Sequence, residues 1–288
     1  MTLKSLFDEG YDRLSSCNIA DARTDSWLLL SWCFGISRLD YLLNPEAEAD
    51  PVAEDRYRGC IRRREGGVPL QYITGEQEFM GLSFKVNENV LIPRQDTEIL
   101  VETVLKNMPQ EPSVLDMCTG SGCILLSIMA MKPCTFGDGV DLSQEALLVA
   151  MENELRVRNV STAALPPGSF PRIRWIHSDL FNNIHDKYDL IVSNPPYIPS
   201  AQIPSLMAEV RAHEPHMALD GSSDGLAFYR KIAAKAPEYL TDRGMIFFEI
   251  GWDQGEAVCK ILENEGFCQI QIKKDLAGLD RVVFASLG

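Results

Sequence analysis

Apolar residues near the amino terminus recur at helical spacing: Leu3, Leu6, Phe7, Tyr11 and Leu14 share one helix face. A second helix is predicted over about 20–34, carrying Trp27, Leu28, Leu30 and Trp32 and closing at Gly35. Ser37 is placed to cap a short helix through Leu43. Asp50-Pro51 opens another by the cap-then-proline rule, and Gly66-Gly67 ends it. After Val68 the period changes. Glu78-Phe79-Met80, Gly81, Leu82-Ser83-Phe84-Lys85-Val86 and Val90-Leu91-Ile92 read as a β-hairpin, and a helix resumes at Asp96-Thr97-Glu98. Strands and helices then alternate: strand 113–117, helix 121–131, strand 135–140, helix 143–158, strands 172–177 and 188–193, with a surface loop over 165–171. Helix 224–239, strand 245–250, helix 253–265 and strands 267–273 and 281–286 follow, the last two spaced as antiparallel edge neighbours. Such alternation predicts an α/β fold, a Rossmann-like parallel sheet with helices on both faces. The expected organisation is a helical unit over 1–67, a hairpin-bearing linker over 68–95 and an α/β domain over 96–288.

Composition narrows the function classes. The net charge of −14 weighs against nucleic acid as the main partner, because phosphate binding draws its affinity from a basic face. The one dense basic cluster, Arg62-Arg63-Arg64, reads as the solvated end of a helix. No signal peptide is evident behind Met1, and no apolar run approaches the ~20 residues of a membrane helix. Eight scattered cysteines without a Cys-x-x-Cys pair suggest reduced thiols in a cytoplasmic protein and no metal site. His213 and His216 have metal-like spacing, but Pro215 between them spoils a helix.

The chemistry concentrates in two places. Asn194-Pro195-Pro196-Tyr197 follows the strand Tyr188–Ser193, at the sheet edge where open α/β folds bind ligands. The prolines stiffen the turn and remove two donors, which leaves the Pro195 carbonyl outside any ladder. An amide, a free carbonyl and an aromatic plane together suit a flat group bearing an NH2. The second place is Asp116-Met117-Cys118-Thr119-Gly120-Ser121-Gly122, a strand and a small-residue turn opening a helix. Glycines there admit close backbone approach, and the helix amino terminus offers unpaired N–H groups. Asp141, at the tip of the next strand, is placed to accept from ribose hydroxyls, with capping of the following helix as the alternative. Without a phosphate-loop lysine or the third glycine of a dinucleotide fingerprint, a nucleoside fits better than ATP or NAD. Asp179 closes the third strand and either caps a helix or meets the base.

Taken in order, the glycine turn, the acidic strand tip and Asn-Pro-Pro-Tyr resemble class I S-adenosylmethionine-dependent methyltransferases acting on planar nitrogen. Four longer stretches resemble the HemK/PrmC family: 69–75, 93–98, 214–221 and 275–281. The resemblance spans the whole chain. It implies methylation of N5 of the glutamine in the Gly-Gly-Gln motif of peptide chain release factors, with S-adenosylhomocysteine as product. It also implies that the helical unit recognises the protein substrate, and the chain is expected to be a monomer. Carried onto this chain, Asn194, Pro195 and Tyr197 are catalytic, with Pro196 beside them in the substrate site. Cys118, Thr119, Gly120, Ser121, Gly122, Asp141, Asp179, Leu180 and Asn194 hold the cofactor. Three positions depart from the family: Cys118 where glycine is usual, Gln95 where proline is usual, and Leu180 in place of an aromatic. Cys118 is tolerable if its φ is negative. Arg94 is expected to meet the cofactor carboxylate, the substrate loop or a structural acid. The alternative substrates are a ribosomal protein or, less in keeping with the acidic charge, an amino group of DNA or RNA, whose base must be flipped out.

Overall fold

A computed structural model describes residues 1–132, 134–161 and 170–288. The loop predicted over 165–171 lies outside the described residues except for Phe170 and Pro171. The chain forms two compact units, and each is described by itself.

The first unit comprises Met1–Gly75 together with Met207–His213. Its helices are Leu3–Ser16, Ala22–Phe34, Arg38–Leu43, Pro51–Glu65 and Leu70–Thr74, joined by the short helix Ala208–His213. The predicted caps operate. Ser37 Oγ accepts from the Asp40 N–H, the Asp50 carboxylate accepts from Ala53 ahead of Pro51, and Gly35 ends its helix at φ 64°. Leu6, Leu14, Leu29, Leu30 and Tyr57 form the centre of its core. One expectation fails here. Arg62 and Arg63 are exposed, but Arg64 is buried and ion-paired with Asp25 and Glu209 at 2.7 and 2.8 Å. A guanidinium that leaves water needs such partners, and Glu209 arrives from more than a hundred residues along the chain.

The second unit holds a seven-stranded sheet. After the hairpin β1 (Glu76–Phe79) and β2 (Leu82–Lys85) come β3 (Ser113–Met117), β4 (Phe136–Asp141), β5 (Arg172–His177), β6 (Tyr188–Ser193), β7 (Leu240–Glu249), β8 (Phe267–Lys274) and β9 (Asp280–Leu287). The order is β5-β4-β3-β6-β7-β9-β8. β3 through β7 run parallel, β9 pairs antiparallel with β7, and β8 forms the edge beside it. Alternation along each strand feeds two cores. Val114, Val192 and Phe247 face one side of the sheet, and Leu115, Ile191 and Phe248 face the other. The expected linker hairpin belongs to this unit. Asn153, on the helix Gln144–Ser161, bonds both the N–H and the C=O of Lys85 and so ties β2 down.

This topology fixes where a ligand can bind. From β3 the chain steps outward to β4 and β5, then returns to lay β6 against the opposite side of β3. The crossovers diverge between β3 and β6, which opens a crevice at their carboxyl ends. The glycine turn leaves β3 there, and Asn194-Pro195-Pro196-Tyr197 leaves β6. No helix among the described residues is long and apolar enough to cross a membrane.

Candidate active site

A cavity of about 350 Å³ fills that crevice. Met117, Cys118, Thr119, Gly120 and Ser121 supply its floor from β3, Asp141 its wall from β4, and Ser178, Asp179 and Leu180 its rim beyond β5. Asn194 and Pro196 close the side at β6, with Arg94, Thr97 and His216 nearby. Eight of the nine residues expected to hold a cofactor therefore line one cavity.

Gly122 is the exception. It takes φ 79° at the amino cap of the helix Cys123–Met131, and a Cβ there would come within 2.8 Å of the Trp175 ring. Its small size serves the close crossing of helix and sheet.

Asp141 does not cap the following helix. Its Oδ2 accepts from the Gly120 N–H at 2.8 Å and its Oδ1 from the Ser143 N–H at 2.9 Å, while Ser143 itself accepts from Ala146. Ser143 thus caps the helix, and Asp141 braces the glycine turn through the Gly120 N–H. Burial pushes its carboxyl above the ordinary range, against the opposing pull of backbone N–H groups from Ser143, Gly120 and Leu142. At the third strand tip, Ser178 accepts from the Asn183 N–H, so the exposed Asp179 is not needed for that turn.

Cys118 departs from its expectation. Its φ is 62°, in the left-handed region, and Leu180 sits at 49°. For L residues this conformation costs roughly 1–2 kcal/mol each. Both strained positions face the cavity.

Within the tetrapeptide, the four residues divide. Asn194 and Pro196 reach the cavity wall, whereas Pro195 is buried and neither it nor Tyr197 lines that wall. The cause is an anchor on the Tyr197 main chain. The Gln254 side-chain amide donates to its carbonyl at 3.0 Å, and a Cβ on Gly225 would fall 2.3 Å from the same oxygen. The segment is further tied where the Ile198 N–H donates to Leu219 and the Gly221 N–H to Ile198. The Tyr197 ring is half-buried, and its phenol is held well above its ordinary pKa, first by burial and then by the charge of Glu249.

Arg94 pairs with the buried carboxylate of Glu214 while still lining the cavity. Arg281 bonds Asp275 and Asp96, both at 3.1 Å, which joins the 275–281 stretch to the helix Gln95–Asn107. Three residues beside the tetrapeptide escaped the sequence reading: Thr97, Gln254 and Glu249. Glu249 left a signal, a carboxylate at the end of the apolar run Met245-Ile246-Phe247-Phe248.

Comparison with known proteins agrees with this geometry. The model of the PrmC N-terminal domain matches residues 5–75, and that of the methyltransferase small domain matches 94–222. The chain is 39% identical over 288 residues to the release factor glutamine methyltransferase of Geobacter sulfurreducens, covering 100% of this chain and 97% of that one. It is 40% identical to the enzyme of the same name from Moorella thermoacetica, covering 99% and 98%. A solved methyltransferase from Pyrococcus furiosus shares the fold at TM-score 0.51 and 14% identity, over 72% of this chain and 90% of that one. With full-length identity at this level and a crevice built at the matching strand ends, the chain belongs to the release factor glutamine methyltransferase family.

Proposed function

We propose that this chain transfers a methyl group from S-adenosylmethionine to N5 of the glutamine in the Gly-Gly-Gln motif of a peptide chain release factor, in the cytoplasm. The observation that carries the reading is the meeting of Asn194 and the glycine turn in one crevice at the switch point of the sheet.

The residues present suit this cofactor. A Cβ on Gly120 would meet nothing within 4 Å, so the turn is open to a ligand lying along it. Asp141 offers acceptors for paired hydroxyls, and Val140, Leu142 and Leu180 offer apolar cover for a base, with Ser178 and Asp179 beside them. Cys118, Thr119 and Ser121 complete the floor. When bound, the cofactor supplies an electrophilic methyl on sulfur.

What the protein must do is position. An amide nitrogen is a weak nucleophile because its lone pair is delocalised into the carbonyl. The Asn194 side-chain oxygen and the Pro195 carbonyl each accept one N–H of the substrate carboxamide, turn its nitrogen toward the methyl, and stabilise the positive charge that grows on it. Pro196 shapes the wall between the two ligands. Tyr197 flanks the carboxamide from the side away from the cofactor cavity. The proton leaves to water after transfer, so no side chain is required as a base. The first unit takes the role of docking the body of the protein substrate.

The test is an incubation of the pure chain with methyl-labelled S-adenosylmethionine and, separately, wild-type release factor, its Gly-Gly-Gln→Gly-Gly-Ala variant, a ribosomal extract and DNA. Label on the wild-type factor alone is expected. Label on the ribosomal extract or on DNA overturns the substrate assignment.

A further inference from the structure

Glu249 is a buried acid that the proposed chemistry does not use. It ends β7 in an otherwise apolar stretch, its side chain is 2% exposed, and its Oε2 makes no hydrogen bond. Uncompensated burial of a carboxylate is costly, so a group kept in such a place calls for a function. The parallel register pairs Ser193, the last residue of β6, with Phe248, so that Asn194, the first residue past β6, follows beside Glu249, the end of β7. Thr97, also 2% exposed, touches the same amide: the Asn194 Nδ2 donates to its Oγ1 at 3.4 Å. Burial raises the pKa of Glu249 to about 7, opposed by the nearby Thr97 hydroxyl, the charge of Arg281 and the Asn194 amide.

An asparagine amide can turn over, exchanging its oxygen and NH2 at little cost, and only its surroundings decide which end faces a ligand. The wrong end would present two donors to a substrate NH2 that needs an acceptor. We infer that Glu249 and Thr97 are positioning residues that hold the Asn194 NH2 against the protein and so keep its Oδ1 facing the substrate carboxamide. This rests on the role proposed above for Asn194. A protonated Glu249 could donate to Oδ1 instead and compete for the same lone pairs. The charged or titratable groups facing it are Arg281 from β9, Asp96 from the helix Gln95–Asn107, Tyr197 from the tetrapeptide segment, Tyr229 from the helix Ala227–Tyr239 and Cys123 from the helix after the glycine turn. Of these, Arg281 favours the carboxylate and Asp96 opposes it.

The test uses the full chain with intact release factor, comparing Asn194→Ala, Glu249→Gln, Thr97→Val and Thr97→Ser. Glu249→Gln is expected to lower kcat by about 10- to 100-fold and Thr97→Val by about tenfold, with the cofactor Kd unchanged within about twofold. Thr97→Ser, which restores the hydroxyl, recovers wild-type kcat within about threefold. Wild-type kcat falls as pH drops through about 7, and Glu249→Gln abolishes that limb. In an Asn194→Ala background, Thr97→Val has no further effect on kcat. If Asn194→Ala keeps its turnover, the reading of Asn194 fails and this inference with it. If Asn194→Ala is inactive while Thr97→Val and Glu249→Gln turn over like wild type, only the positioning role is lost. Equal impairment of Thr97→Ser and Thr97→Val also refutes it. Should Glu249→Gln fail to fold, the threonine pair decides alone.

Discussion

The two walls of the crevice are built by different means. On the β3–β4 side the ligand meets backbone: a turn with Cys118, Gly120 and Gly122 all at positive φ, braced by one carboxylate through the Gly120 N–H. On the β6–β7 side it meets a side chain, Asn194, whose orientation depends on buried neighbours. A backbone wall tolerates changes of side chain but not of φ. A side-chain wall tolerates neither the loss of the group nor the loss of its supports. In the proposed reading the first governs how tightly a cofactor binds, and the second how fast a bound pair reacts.

Substitutions on each wall should separate these quantities. The largest effect belongs to Asn194→Ala, expected to lower kcat by about 10²-fold or more, ~3 kcal/mol, while calorimetry finds S-adenosylmethionine affinity nearly intact. Equal loss of both in a folded variant would erase the contrast. Asp141→Ala should show the reverse, weakening cofactor binding by ~1.5–3 kcal/mol, with kcat at saturating cofactor falling much less. Gly225→Ala sharpens the second wall without touching a reacting group. At φ 74°, with its new Cβ 2.3 Å from the Tyr197 carbonyl, it should cost ~1–3 kcal/mol in thermal unfolding and reduce kcat by shifting the tetrapeptide. The smallest change, Cys118→Gly, should relieve strain and raise stability by ~1 kcal/mol, with tighter cofactor binding. If that variant binds the cofactor more weakly, the Cys118 side chain contributes contacts that outweigh its strained backbone.

The same contrast explains what could be read in advance. A backbone wall needs glycines, small residues and an acidic strand tip at fixed spacing, and those stand together in the chain from Asp116 to Asp141. The parallel sheet and its ligand-binding edge followed from strand–helix alternation. The supports of Asn194 did not, because both lie far from it in sequence: Glu249 comes beside it through strand register, and Thr97 reaches it from the helix Gln95–Asn107. Pro195 and Tyr197 were assigned together with Asn194, but alternating positions do not share a wall, and Gln254 decides where the tyrosine main chain lies. In sequence Arg64 looks like its exposed neighbours, and only the fold brings Glu209 beside it. The start of β7 was hidden because Thr241-Asp242-Arg243-Gly244 has the composition of a turn. Pro199, Pro204 and Pro215 likewise masked the short helical turns between Ser200 and Leu219.

The return of Met207–His213 to the first unit bears on how such enzymes can be re-engineered. A single cut after Gly75 does not release that unit whole, for Glu209 would stay behind on the catalytic fragment, parted from the guanidinium it neutralises. Anyone grafting a different helical unit onto this catalytic body must therefore transplant two pieces of sequence, a long leading segment and the seven residues Met207–His213, matched to each other.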